Sequence, residues 1–289
     1  MTGFKGIHPG VIFIYFAAVI GISMASYNPI YIACSFIGGI IYYINLKKSL
    51  KGLKVFVPMI MFMAVLNPLF SHKGATILFY WGNPITLESI LYGFAAAFML
   101  LSVIIWFGCF NHIMTEDKIV YIFGRIIPKG SLIIAMVLRF VPRLKKQMKS
   151  ILEGQRLMGN DIKKADFRKK IDIGGRAVGA LVSQTLEGAL VTSDSMQARG
   201  YGKKGRTTYS IFELTVRDKW VFTAIVIMAG MSIAGIIMDY TEFRFYPVIY
   251  CSDVLSSIVF YISFMGLALF PAAVDCYEVA KWKSLKSKI

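Results

Sequence analysis

GRAVGALVSQTLEGALVTSDSMQARGYGKKG, residues 175–205, is the stretch from which the rest of the chain is read. Val178, Leu181, Val182, Thr185, Leu186, Ala189, Leu190 and Met196 recur at helical spacing and form one apolar stripe. The stripe stops at a clear signal. Arg199 stands in the last turn, Gly200 suits the left-handed position after a helix, and Gly202 and Gly205 oppose a restart. A guanidinium held at a helix C-terminus lies where the backbone dipole favours its charge. From this local pattern two roles stand open for Arg199: capping its own helix, or docking to acceptors on another protein.

Outward from this helix the chain is strongly apolar. It has 289 residues, 56% of them hydrophobic, with a formal net charge of +16 and a mean hydropathy of +0.62. Soluble domains do not carry so much apolar sequence. Residues 11–27, 30–45, 55–70, 88–110, 220–238 and 254–274 are apolar segments that approach the roughly 20 residues needed to span a bilayer. The expected fold class is therefore all-α, a polytopic helical membrane protein with about six spans. Its expected parts are a membrane domain at 1–110, a cytoplasmic domain of amphipathic coupling helices at 111–219, and a membrane segment with a basic tail at 220–289. Lys5 before the first apolar run, with no small-residue cleavage site after it, reads as an anchor and not as a cleaved signal. ATILFYWG, within the 71–87 connection, reads either as a short strand or as an interfacial segment.

Charge sets the expected orientation. The Lys47–Lys54 loop, the 111–219 segment and the C-terminal tail are rich in Lys and Arg. The intervening loops carry only Lys73 and Arg244, the latter beside Asp239, Glu242 and Asp253. The bias of basic residues towards cytoplasmic loops puts both termini and the 111–219 segment in the cytoplasm of a cell-membrane protein. Residues 139–219 alone hold 18 Lys and Arg against 8 Asp and Glu. A first amphipathic helix is expected from about Pro142 to Met158, with Pro142 in its first turn and Gly159-Asn160 as its stop. The basic run KKADFRKK reads as a solvated linker near anionic lipid, before the helix quoted above. Gly179, Ala180, Gly188 and Ala189 are small residues on or beside that helix's stripe, and they read as a surface for close helix crossing.

Other chemistry finds little support. Cys34, Cys109, Cys251 and Cys276 are scattered, without a Cys/His cluster, so neither metal site nor disulfide framework is expected. Asp194 stands alone in its helix, whereas a metal-dependent phosphatidyl transferase needs several aspartates on one face. His8, His72 and His112 lie near span ends, unlike the partners of an intramembrane serine nucleophile. There is no phosphate-binding glycine loop, so ATP energy has to come from a partner, and no aromatic-interleaved basic motif argues for nucleic acid. No cofactor is expected. The main alternative is a secondary transporter moving solute through its own spans. Such proteins place ionisable groups at mid-membrane, whereas Glu88 and Asp275 lie at span ends.

These residues resemble a known family. Ile7-His8-Pro9-Gly10, Tyr27-Asn28-Pro29, Leu138-Arg139-Phe140-Val141-Pro142, ILEGQRLMG at 151–159, SDSMQARGYG at 193–202 and Arg217-Asp218 are similar to the transmembrane T component of energy-coupling factor (ECF) transporters, which includes cobalt-transporter permease subunits. The resemblance implies a non-enzymatic scaffold. It would link two cytoplasmic ABC-type ATPases to a small membrane protein that captures a vitamin or a cobalt or nickel ion. It implies two coupling helices ending in Ala-Arg-Gly-like motifs, each Arg docking in one ATPase. Ala198, Arg199 and Gly200 match the second motif. In the first, counted from Gln155, the Arg position falls on Met158 before Gly159, and Arg156 lies two positions earlier, about 200° round the helix. Either Arg156 reaches round, or that contact is apolar and weaker. Met99 stands where many relatives are expected to have Arg, and the last span makes the chain longer than the common pattern.

Overall fold

The computed structural model describes residues 3–47, 58, 60–62, 66–67, 70, 74, 76–81, 83–126, 128–160, 166–201, 212–246, 250–251 and 254–286. The expected third span at 55–70 lies mostly outside these, as do Lys73, Gly202 and Gly205. The chain forms two compact units, Met1–Thr115 with Phe212–Ile289, and Glu116–Ile211.

The first unit holds α1 (Pro9–Ala25), α2 (Pro29–Lys47), β1 (Ile77–Trp81), β2 (Asn83–Thr86), α3 (Leu87–Ile113), α7 (Val216–Ile237), β3 (Phe243–Arg244), β4 (Tyr250–Cys251) and α8 (Val254–Lys286). Among the described residues four helices are long and apolar enough to cross a membrane: Pro29–Leu46, Leu87–Ile113, Val216–Ile237 and Leu255–Lys286. At 17 residues α1 is shorter and equally apolar. Helix starts follow local chemistry. Pro9 occupies the first turn of α1 while His8 Nδ1 accepts from Gly10 N–H at 3.2 Å. Asn28 Oδ1 accepts from Ile30 N–H at 2.9 Å at the start of α2. Thr215 and Asp218 form a reciprocal capping box on α7. ATILFYWG takes the strand option, because β1 turns back on β2 as an antiparallel hairpin with Trp81 opposite Asn83.

An aromatic core joins these helices. Trp106 is fully buried, with Tyr15 and Phe16 edge-on at 6.1 Å, and its Nε1–H donates to the Ser35 hydroxyl at 3.1 Å. That hydroxyl lies 2.6 Å from Ser23 Oγ. These buried polar groups are thus paired inside the bundle, as a lipid surround demands, whereas the buried Tyr42 hydroxyl has no hydrogen-bond partner among the described residues. A Cβ on Gly38 would fall 2.7 Å from Ala268 Cβ, so α2 and α8 approach there as only glycine permits. At one end of the unit Asn28 Nδ2 donates to Tyr261 Oη at 2.8 Å and to the Thr241 carbonyl at 3.0 Å. At the other, Phe4 N–H donates to Asp275 Oδ1 at 2.8 Å. There Arg217 pairs with Glu278 at 2.6 Å and donates to the Gly3 carbonyl at 3.0 Å. The protein is an all-α polytopic helical membrane protein, with two small antiparallel strand pairs among the described residues.

The second unit consists of α4 (Glu116–Ile126), α5 (Pro128–Leu157) and α6 (Phe167–Ala198). Three features depart from expectation. Helix α5 does not begin at Pro142; it runs through it, taking in the apolar run at 131–141. A proline lacks one N–H and strains one turn, and here apolar and basic helical pattern on both sides carries the helix across. Helix α6 begins at Phe167, so FRKK belongs to its first turn and not to a linker. Helix α4 was not foreseen.

Candidate functional site

Helices α5 and α6 pack on each other. On α6 the half-buried and buried positions are Gly174 and, spaced three or four apart on one face, Ile173, Ala177, Leu181, Thr185, Gly188, Thr192 and Met196. The single stripe expected from sequence therefore divides. Leu181, Thr185 and Met196 belong to this inner face, while Val178, Val182, Leu186 and Leu190 are exposed on another.

Both helices end in the same hydrogen-bonded cap. At the end of α5, Met158 N–H donates to the Gly154 carbonyl, Gly159 N–H to Arg156 and Asn160 N–H to Gln155, at 3.2, 3.0 and 3.0 Å. At the end of α6, Arg199 N–H donates to Ser195, Gly200 N–H to Gln197 and Tyr201 N–H to Met196, at 3.2, 2.9 and 3.1 Å. Gly159 and Gly200 adopt φ of 86° and 75°, the left-handed region that a glycine enters without steric cost. The donor in each five-residue closure fixes the register between the two caps. Gln155 corresponds to Met196, Arg156 to Gln197, Met158 to Arg199, and Gly159 to Gly200. Hydrogen bonding thus aligns Met158 with Arg199, independently of any motif. Met158 is 78% exposed and Leu157 beside it 90%; Ala198 and Arg199 are exposed too. The Gln155 side chain accepts from Asn160 Nδ2 at 3.3 Å, so it serves the cap. Arg156 is exposed on the other side of α5.

The two caps are not brought together. Arg199 and Arg139 line one cleft, and Arg139 lies 19 residues before Met158 on α5, roughly 28 Å along a helix axis. The proposed crossing residues also diverge. Gly188 lies on the inner face of α6 and is half-buried, whereas Gly179, Ala180 and Ala189 are exposed. A Cβ added at Gly179 or Gly188 meets nothing within 4 Å among the described residues. No group of three or more metal-ligating side chains occurs among the described residues.

Sequence reading missed Glu278, which ties Arg217 across 61 positions. No local signal marks such a pair, because it arises from the meeting of α7 with the far end of α8.

Residues 9–209 match the family described as cobalt transport protein (CbiQ). The chain is 30% identical over 181 residues to the energy-coupling factor transporter transmembrane protein EcfT 1 of Listeria monocytogenes, covering 58% of this chain and 67% of that protein. It is 26% identical over 198 residues to the protein EcfT of Lacticaseibacillus paracasei, covering 63% and 73%. It is 24% identical over 200 residues to the EcfT of Lactococcus lactis subsp. cremoris, covering 64% and 74%. These relatives are transmembrane transporter components, and this chain belongs to the cobalt transport protein family as a transmembrane T component of energy-coupling factor transporters.

Proposed function

We propose that the protein is the non-enzymatic scaffold of an ECF-type importer. It couples ATP hydrolysis by two cytoplasmic ABC-type ATPase subunits to uptake of a vitamin or transition-metal ion captured by a separate small membrane protein. The observation that carries this reading is the pair of equivalent glycine-capped helix ends, set far apart on α5 and α6. Two separated and geometrically equivalent ends suit two ATPase subunits. Arg199, with Ala198 and Gly200, docks at one. Met158, with Gln155, Arg156 and Gly159, forms the weaker contact at the other. The Glu116–Ile211 unit is the core of the cytoplasmic coupling domain expected at 111–219. Its basic excess puts that unit and both termini on the cytoplasmic side of the cell membrane. The exposed apolar stripe Val178, Val182, Leu186 and Leu190 faces the bilayer or the substrate-capturing protein. The open space beside Gly179 and Gly188 gives a partner helix room to cross closely, with Ala180 and Ala189 alongside.

The positions of buried carboxylates favour this reading over a secondary transporter. In the membrane unit Glu88 bonds Thr76 at 2.7 Å, Asp218 caps α7 and Asp275 holds Phe4 N–H. Glu88 and Asp218 serve helix ends, and Asp275, eleven residues before the end of α8, is engaged by the N-terminal segment, so none is left unengaged. The test is reconstitution in proteoliposomes. Uptake should require both ATPases, the substrate-capturing protein and ATP. Uptake by this chain alone, driven by an ion gradient, would mean a secondary transporter.

A further inference from the structure

The C-terminal end of α6 and the N-terminal half of α5 form an open cleft of about 630 Å³ lined by Ala135, Met136, Arg139, Thr192, Met196 and Arg199, among others. Ala135, Met136 and Arg139 share one face of α5, while Thr192, Ser195, Met196 and Arg199 share one face of α6. Two guanidiniums therefore line one concave surface without a carboxylate among its described lining residues. The acids of α6 point elsewhere. Asp194 and Glu187 lie about 140° and 120° round the helix from Arg199, and Asp172 pairs with Arg176. Among the described residues neither Arg139 nor Arg199 has an ion-pair partner. Like charges facing one cleft repel, and an anion between them turns that repulsion into two charge-assisted contacts.

We propose that this cleft is a two-arginine receptor for one carboxylate side chain of the ATPase that docks at the α6 end, and that Arg139 is a second docking residue. The inference rests on the scaffold reading above and adds a residue outside either helix-end motif. The carboxylate enters between the planar guanidiniums, each of which can donate two parallel N–H bonds. The Ser195 hydroxyl stands within the same lining to donate a further bond to the acid, whereas the Thr192 hydroxyl is held by the Gly188 carbonyl at 2.7 Å, and Met136 and Met196 supply adaptable apolar walls for the acid's stem. Continuity with the exposed Arg199 helix end, where the ATPase docks in the reading above, favours a protein carboxylate over a lipid phosphate.

The test is a double-mutant cycle on the full chain in nanodiscs, titrated with its cognate ATPase pair. Arg139→Gln and Arg199→Gln should each weaken ATPase binding about ten-fold. The double variant should fall clearly short of the hundred-fold product, because both residues serve one acid. Arg139→Lys should retain part of the affinity, and Arg168→Gln, which removes the same charge at the other end of α6, should bind as wild type. If Arg199→Gln weakens binding while Arg139→Gln stays within about two-fold of wild type, the receptor is wrong and the scaffold reading stands. If Arg139→Gln binds ATPase normally but co-purifies with less anionic phospholipid, the cleft is a headgroup site and the proposal is overturned. If the wild-type chain binds no ATPase, both readings fall.

Discussion

The ends of α5 and α6 share one backbone and differ in one side chain. Each closes with the same three hydrogen bonds around a left-handed glycine, yet the position before that glycine is Met158 in one and Arg199 in the other. Backbone geometry therefore presents both ends equally, and chemistry separates them. A thioether offers adaptable apolar contact, whereas a guanidinium offers directed, charge-assisted bonds. A scaffold built this way can hold two similar partners with unequal strength, and so tell them apart.

The largest expected effect comes from removing the charge. Arg199→Ala removes the charge, the stem and every side-chain donor, and should cost on the order of 2–5 kcal/mol in ATPase affinity at the α6 end, more than Arg199→Gln, which keeps part of the stem and an amide N–H; Arg156→Ala should cost much less, measured by titration of the ATPase pair in nanodiscs. Equal losses would mean that Arg156 does for α5 what Arg199 does for α6. Next come the glycines. Gly159→Val and Gly200→Val each force a branched residue to a left-handed φ at about 1–3 kcal/mol. Thermal unfolding should register both alike, but only Gly200→Val should strongly impair ATPase binding. Gly188→Leu should cost the isolated chain less than the assembled complex, since a Cβ at that position meets nothing within 4 Å among the described residues. In the assembled importer it should overpack a crossing by roughly 1–3 kcal/mol, leaving ATP hydrolysis but slowing uptake. Normal uptake would remove the crossing from the account. The smallest effect is a gain: Met158→Arg should strengthen the α5 contact by about 1 kcal/mol, as a partly exposed charge pair gives, read as a narrowing of the two ATPase affinities.

Sequence alone made part of this legible. Both helix stops were visible because a glycine after a periodic run is a local signal, and Gly159 and Gly200 act where they stand. The beginnings were harder. Pro142 suits a first turn, so it suggested a helix start, yet α5 passes through it. The basic residues of FRKK looked like a solvated link, although Asp166 immediately before Phe167 marks the start of α6. The division of the α6 stripe into an inner and an exposed face depends on which side α5 covers, and periodicity cannot supply that. The Arg139–Arg199 cleft is hidden for the same reason, since it exists only where two residues 60 positions apart meet across the packed helices. The Met158 departure was legible by counting from Gln155, and the cap hydrogen bonds give the same alignment by geometry.

The central claim is that the two caps engage two different ATPase subunits. Leu157 and Ala198 occupy equivalent cap positions and are exposed. Each can be replaced in turn by a photo-crosslinking phenylalanine analogue in the assembled complex, and the attached subunit identified by mass spectrometry. Position 157 should capture one ATPase and position 198 the other, and a chain carrying the analogue at both should capture two. Capture of the same subunit from both positions, or of no ATPase from either, would contradict the account.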